Sequence, residues 1–298
     1  MSEREDAFSG YHPVVNLLFF TGAIVCGMFF VHPAFLAVSL VCSLSYYLLL
    51  KGKKGLAPLG GILFVFAAIA LFNPLFNTMG ETVLFTFWNG RPFTWEALCY
   101  GMATGGMFAT IILWFACYNI VMTSDKLMLL CGKRIPALSL VLSMILRLIP
   151  NMQTKIKTIV SAQICIGKSP QHGTRNEKLK NSAAVLSVLT SWALEASVMT
   201  ADSMKSRGYG SGTRSNFAQY SWQTRDKILA ALLLCCAGFV AISAWRGAMA
   251  VQFLPVILLP PANGDTTLGL VGYGLFLSTP AIIHLWEEAI WSILQSKI

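Results

Sequence analysis

Residues 183–210 read AAVLSVLTSWALEASVMTADSMKSRGYG, and the change of character along them decides the fold. The first part, 183–199, is apolar apart from scattered Ser and Thr and the single charge of Glu195. It is a weak membrane span, because a hydrocarbon core of about 30 Å takes about twenty residues of helix. The remainder is polar and continues the helix to Arg207, where Gly208, Gly210 and Gly212 stop it. A second segment of the same design precedes it. IPALSLVLSMILRLIP at 135–150 is apolar around Arg147. Beyond Pro150, Met152, Ile156, Ile159, Val160 and Ile164 recur at helical spacing, with Lys155 and Lys157 off that face. KSPQHGTRNEKLKN at 168–181 is a polar turn between the two. The unit is therefore two long helices, each apolar at one end and amphipathic at the other, joined by a basic loop. Helices of this kind pack on each other, lie on a membrane surface or dock in the groove of a partner.

The surrounding chain places this unit in a membrane protein. Of 298 residues, 55% are apolar and 12% charged, with mean hydropathy +0.64. A soluble domain carries about twice that charge, and disorder needs low hydropathy with high charge. The net charge is +9, but 122–225 alone holds fourteen Lys and Arg against four Asp and Glu. Lys and Arg accumulate on the cytoplasmic side, so this block reads as a cytoplasmic face. Apolar runs interrupt it throughout, so no nucleic-acid partner is expected. The eight cysteines form no CxxC pair and sit mostly in apolar runs, as buried thiols do. The acidic start, MSEREDAFSGYH, lacks the basic region and cleavage site of a signal peptide.

Six apolar stretches are candidate spans: 14–31, 34–50, 56–72, 95–121, 228–245 and 268–286. His32-Pro33 separates the first two, since proline ends a helix and restricts its predecessor. Lys51, Lys53 and Lys54 in KGKKG should be cytoplasmic. Segment 73–94, whose one basic residue is Arg91, is then outside. The basic block is inside, 251–267 outside, and Lys297 inside, with both termini cytoplasmic. The expected fold is an all-α polytopic membrane protein, with about five or six transmembrane helices and two long cytoplasmic helices. Its parts are N-terminal transmembrane helices (1–121), the central two-helix region (122–225) and a C-terminal transmembrane hairpin (226–298).

Little in the sequence points to catalysis. Ionisable residues in spans are functional candidates, but Glu96, His284, Glu287 and Glu288 all lie near span ends, where headgroups explain them. The four histidines, His12, His32, His172 and His284, are not at metal-ligand spacing. Gly167-Lys168-Ser169 imitates the end of a phosphate-binding loop, but Ala162 stands where the first glycine belongs and the preceding segment reads as helix. No nucleotide hydrolysis by this chain is expected. Gly101 and Gly105 form GxxxG, and Gly60-Gly61 and Gly272/Gly274 likewise suggest close helix packing.

The endings ADSMKSRGYG (201–210) and SAQICIG (161–167) resemble those of the transmembrane (T) component of energy-coupling factor (ECF) transporters, prokaryotic uptake systems for vitamins and metals. HPVVN at 12–16, NPLFN at 73–77, MTSDK at 122–126 and SMILRLIP at 143–150 extend the resemblance over nearly the whole chain. It implies an all-helical, non-catalytic subunit of the prokaryotic plasma membrane. Two coupling helices would each end in a short arginine-centred motif that enters a groove on one of two ATPase subunits. The membrane helices would hold a separate substrate-binding (S) subunit, toppled when the ATPases close on ATP. The lipid bilayer would be a further partner, and ATP would be used by the ATPases, with no cofactor bound directly by this chain.

Carried over by residue, the second motif is Ser206-Arg207-Gly208. The first, following Ala162-Gln163, is Cys165-Ile166-Gly167, with Ile166 where the family has arginine. Isoleucine cannot pair with a carboxylate, so that contact would be apolar, and the departure suggests two non-identical ATPases. Arginine independently suits such a place, being always charged, planar in its donors and favoured by the dipole at a helix C-terminus. The alternative is a self-contained secondary transporter of small solutes. It requires inverted repeats and broken helices with midplane polar groups, which the sequence does not display.

Overall fold

The computed structural model describes residues 6–77, 80–86, 92–132, 136–170, 173–212, 222–247, 251, 253, 257 and 264–295. Arg91, Lys297 and most of 251–267, which enter the orientation argument, lie outside them, as does His172. The chain divides into two compact units.

The first unit comprises Met1–Leu127 and Tyr220–Ile298. It contains α1 (Pro13–Phe29), α2 (Pro33–Lys51), α3 (Leu56–Phe76) and α4 (Trp95–Val121). Helix α5 (Ser124–Gly132) begins in it, and α8 (Thr224–Trp245) and α9 (Gly264–Gln295) complete it. Helices α1 and α2 start in the same way. Proline occupies the first turn, where its missing N–H is no loss, and the preceding histidine caps the helix. Nδ1 of His12 accepts from the Val14 N–H at 3.3 Å and Nδ1 of His32 from that of Ala34 at 3.2 Å.

The core lies where α1, α2, α4, α8 and α9 meet. Phe19, Trp114 and Phe276 form its centre, with Phe19 5.4 Å from Trp114 and 5.3 Å from Phe276 between ring centroids. The Trp114 indole N–H is satisfied by Ser39 Oγ at 3.3 Å. Helix α3 packs on α4 across Gly101 and Gly105. It turns Leu63, Phe64, Leu71 and Phe72 outward, an apolar surface of the kind that lipid or a membrane partner covers.

Within segment 73–94, placed outside by the charge argument, two short strands pair antiparallel, β1 (Val83–Thr86) with β2 (Pro92–Thr94). Glu96, assigned above to the headgroup region, is buried at the start of α4. It accepts from the Thr82 hydroxyl at 2.6 Å and backbone N–H at 3.2 Å, tying the segment to the helix. His284 also has a specific partner, with Nδ1 2.8 Å from Asp6 Oδ1. Close packing is not general among the glycines. It holds at Gly101 and Gly105, whereas a Cβ at Gly60 or Gly61 would meet nothing within 4 Å.

The second unit, Met128–Gln219, contains α6 (Pro136–Cys165) and α7 (Arg175–Ser206), which pack on each other. A capping box opens α7, with Thr174 and Glu177 bonding reciprocally to each other's backbone. Val185 and Leu189, one turn apart, are its buried residues. The expected α6 face holds at Met152, Ile159 and Val160, which are half-buried, and departs from expectation at Lys155. That lysine is half-buried, with its ammonium 5.4 Å over the Trp192 ring, while Ile156 and Ile164 are exposed. A cation over an aromatic face is attractive, and the lysine stem covers apolar surface as well as a hydrocarbon side chain does.

Six helices are long and apolar enough to cross a membrane: α2, α3, α4, α7, α8 and α9. By length and composition alone, this set differs from the expected spans at α1 and α7. Helix α1 has 17 residues, about 26 Å, at the short end of the range that spans a bilayer. Helix α7, read above as a weak span with a polar tail, is continuous over 32 residues and contains a sufficiently apolar window.

Candidate coupling site

Helices α6 and α7 end in the same local geometry. At the end of α6, Gly167 takes φ +77°, its N–H donates to Ile164 O at 3.0 Å, and the Lys168 N–H donates to Gln163 O at 2.9 Å. At the end of α7, Gly208 also takes φ +77°, its N–H donates to Lys205 O at 3.0 Å, and the Tyr209 N–H donates to Met204 O at 3.0 Å. Both are complete Schellman motifs, a left-handed glycine with a six-to-one and a five-to-two hydrogen bond. The equivalence pairs Cys165-Ile166-Gly167 with Ser206-Arg207-Gly208 residue by residue and puts Ile166 and Arg207 at the same capping position. Only glycine accepts that φ without strain, so the stop signal in the sequence and the geometry have one cause.

Every residue of both motifs is exposed, as is Ala162; Gln163 is half-buried. Ile166 is 67% exposed, unusual for an isoleucine ending a polar helix tail. The Ser206 hydroxyl donates back to Ser203 O at 2.9 Å, leaving its lone pairs outward. The Gly167-Lys168-Ser169 imitation follows helix, not strand, so no phosphate cradle forms there.

A third helix ends likewise, α8 at Arg246-Gly247, with Gly247 at φ +74° and its N–H donating to Ala244 O at 3.0 Å. The ending is therefore a general terminator, and its side chain decides its use. Arg246 is consumed internally, with Nη1 2.9 Å from Asp265 Oδ1. Among the described residues no carboxylate lies within ion-pair distance of Arg207. Its guanidinium is exposed and presents a planar fork of donors. Helix α7 is about 48 Å long, so Arg207 is a full helix length from Arg175, where α7 starts nine residues after Ile166. Among the described residues no group of three or more His, Cys, Asp or Glu is placed to hold a metal ion.

Fold and site together define an all-α polytopic membrane protein that offers two equivalent helix ends of opposite chemistry. Its relatives narrow that class. The chain is 31% identical over 200 residues to the energy-coupling factor transporter transmembrane protein EcfT of Lactococcus lactis subsp. cremoris, covering 63% of this chain and 71% of that one. It is 25% identical over 205 residues to the EcfT of Staphylococcus aureus, covering 65% and 75% respectively. To that of Bacillus selenitireducens it is 30% identical over 111 residues, covering 37% and 41%. No protein-family model matches the chain. The chain belongs to the energy-coupling factor transporter transmembrane protein family, and is a multi-pass membrane component of a transport system that works with partner subunits.

Proposed function

We propose that the chain is the non-catalytic coupling subunit of an ATP-driven importer of vitamins, other micronutrients or metal ions in the prokaryotic plasma membrane. The exposed ends of α6 and α7 each dock on an ATPase subunit. Movement of those ATPases passes along the two helices to a membrane-embedded S subunit that carries the substrate. The observation that carries this reading is the pair of equivalent Schellman endings with exposed Ile166 and Arg207 at the same position. Equivalent geometry gives two docking points of one shape. Opposite side-chain chemistry gives each a different groove, apolar for Ile166 and acidic for Arg207, and so two non-identical ATPases. Both termini face the cytoplasm in this reading. The unbroken run of α2, α3, α4, α8 and α9 supports it over a self-contained secondary transporter, which needs interrupted helices at a midplane site.

Arg207→Ala tests the reading. Losing one partner of a buried charge pair costs about 3–5 kcal/mol, or more than a hundredfold in affinity. The variant should lose one ATPase on co-purification or hydrolyse ATP without uptake, at wild-type levels of the chain. Arg207→Lys should recover part of the activity, because lysine lacks the planar fork. Lys205→Ala, one residue outside the motif, should behave as wild type. Wild-type ATPase capture and uptake by Arg207→Ala would refute the assignment of that end.

A further inference from the structure

The chain leaves the first unit after Leu127 and returns to it at Tyr220. These two crossings are the covalent routes from the long helices to the membrane bundle, and both are fastened to one short N-terminal segment. At the exit stands Lys126, 3% exposed. Its ammonium donates to Val121 O, the last carbonyl of α4, at 2.8 Å and to Ser9 O at 2.6 Å. At the return stands Asp226, 2% exposed. Its Oδ1 accepts from the His12 N–H at 3.3 Å and its Oδ2 from the Gln223 N–H at 3.0 Å. The His12 ring stacks on Trp222 at 4.4 Å, and the Arg225 guanidinium lies 5.2 Å over the Tyr11 ring.

The segment is itself anchored. Phe8 is wholly buried, and Asp6 accepts from the Tyr46 hydroxyl of α2 at 2.6 Å and lies 2.8 Å from His284 Nδ1 of α9. Residues 6–12 thus touch the exit, the return and two further helices at once. Buried charges such as Lys126 and Asp226 are retained only where protein dipoles replace their water, so these ties resist opening.

We propose that residues 6–12 are a brace and that Lys126 and Asp226 are positioning residues for transport. By locking both crossings to one segment, they make the exit and the return move together, so that motion of α6 and α7 reaches the bundle as one displacement. This rests on the coupling role proposed above. Without the brace each crossing would yield separately, and ATP would be spent without transport.

The test uses the full complex in proteoliposomes with Lys126→Met, Lys126→Arg and Tyr46→Phe. Lys126→Met should capture the ATPases and hydrolyse ATP as wild type does, while uptake per ATP falls about fivefold or more. Amide hydrogen exchange should quicken at 222–226, the far crossing, as well as at 121–127. Lys126→Arg should restore most of both. Tyr46→Phe, which keeps the ring and removes one hydrogen bond, should shift both readouts less and in the same direction, and it decides the matter alone if Lys126→Met does not fold. Quickened exchange confined to 121–127 would overturn the brace. So would unchanged uptake per ATP alongside quickened exchange at both crossings. A wild-type chain that captures no ATPase would instead overturn the coupling role and the transmission argument with it, while the exchange data still read the link between the crossings.

Discussion

Replacing Gly101 with alanine should separate α3 from α4. The new Cβ would lie 2.7 Å from Ala70 O and 3.0 Å from Asn73 Cβ; at Gly105 it would lie 2.9 Å from Phe66 O. A carbon settles against a carbonyl oxygen at about 3.3 Å, so the helices must part by about 0.6 Å at Gly101 and about 0.4 Å at Gly105. The obstruction is backbone, which cannot swing aside as a side-chain tip can. Overpacking of this kind costs about 1–3 kcal/mol. Alanine also favours helix over glycine by about 1 kcal/mol, which partly offsets the cost. Gly60→Ala isolates the packing contribution, because it shares the propensity gain and meets nothing within 4 Å. The assay is thermal unfolding in one detergent, followed by loss of helical circular dichroism. At about 2–4 °C per kcal/mol for a chain of this size class, Gly101→Ala should melt several degrees below Gly60→Ala. Equal melting temperatures, or a lower one for Gly60→Ala, would refute the packing argument.

Ile166→Asp should weaken assembly by burying an unpaired charge at an apolar contact, while Ile166→Val should be nearly silent; co-purification of the two ATPases measures both, and normal assembly of the Asp variant would mean that the α6 end does not dock. Purified alone, the chain should hydrolyse ATP no faster than background, and turnover that persists after removal of trace ATPases would contradict the non-catalytic role. In a chain whose other cysteines are replaced, a cysteine at exposed Leu84 should react with an impermeant maleimide from outside the cell, and native Cys165 only after the membrane is opened. Labelling of Cys165 from outside would invert the topology.

The amino-acid sequence by itself determined what depends on neighbours along the chain. Apolar runs near the bilayer thickness set most of the spans, His-Pro pairs set the starts of α1 and α2, and glycines set the ends of α6 and α7. The pairing of the two endings came from the resemblance to ECF T components, and the structure gave both the same Schellman cap over six consecutive residues. Only the tertiary structure decided which features meet. It showed that Gly101 and Gly105 are packed while Gly60 and Gly61 are open, because an α-helix displays a small residue identically whether or not a partner arrives. It brought Lys155 under Trp192, where a charge expected to face water covers an aromatic ring. It also gathered residues 6–12 with Lys126 and Asp226, pairs 117 and 214 positions apart. Contacts at such separations leave no periodicity in the sequence; they exist because the helices, once packed, close the ends of one bundle around a common segment.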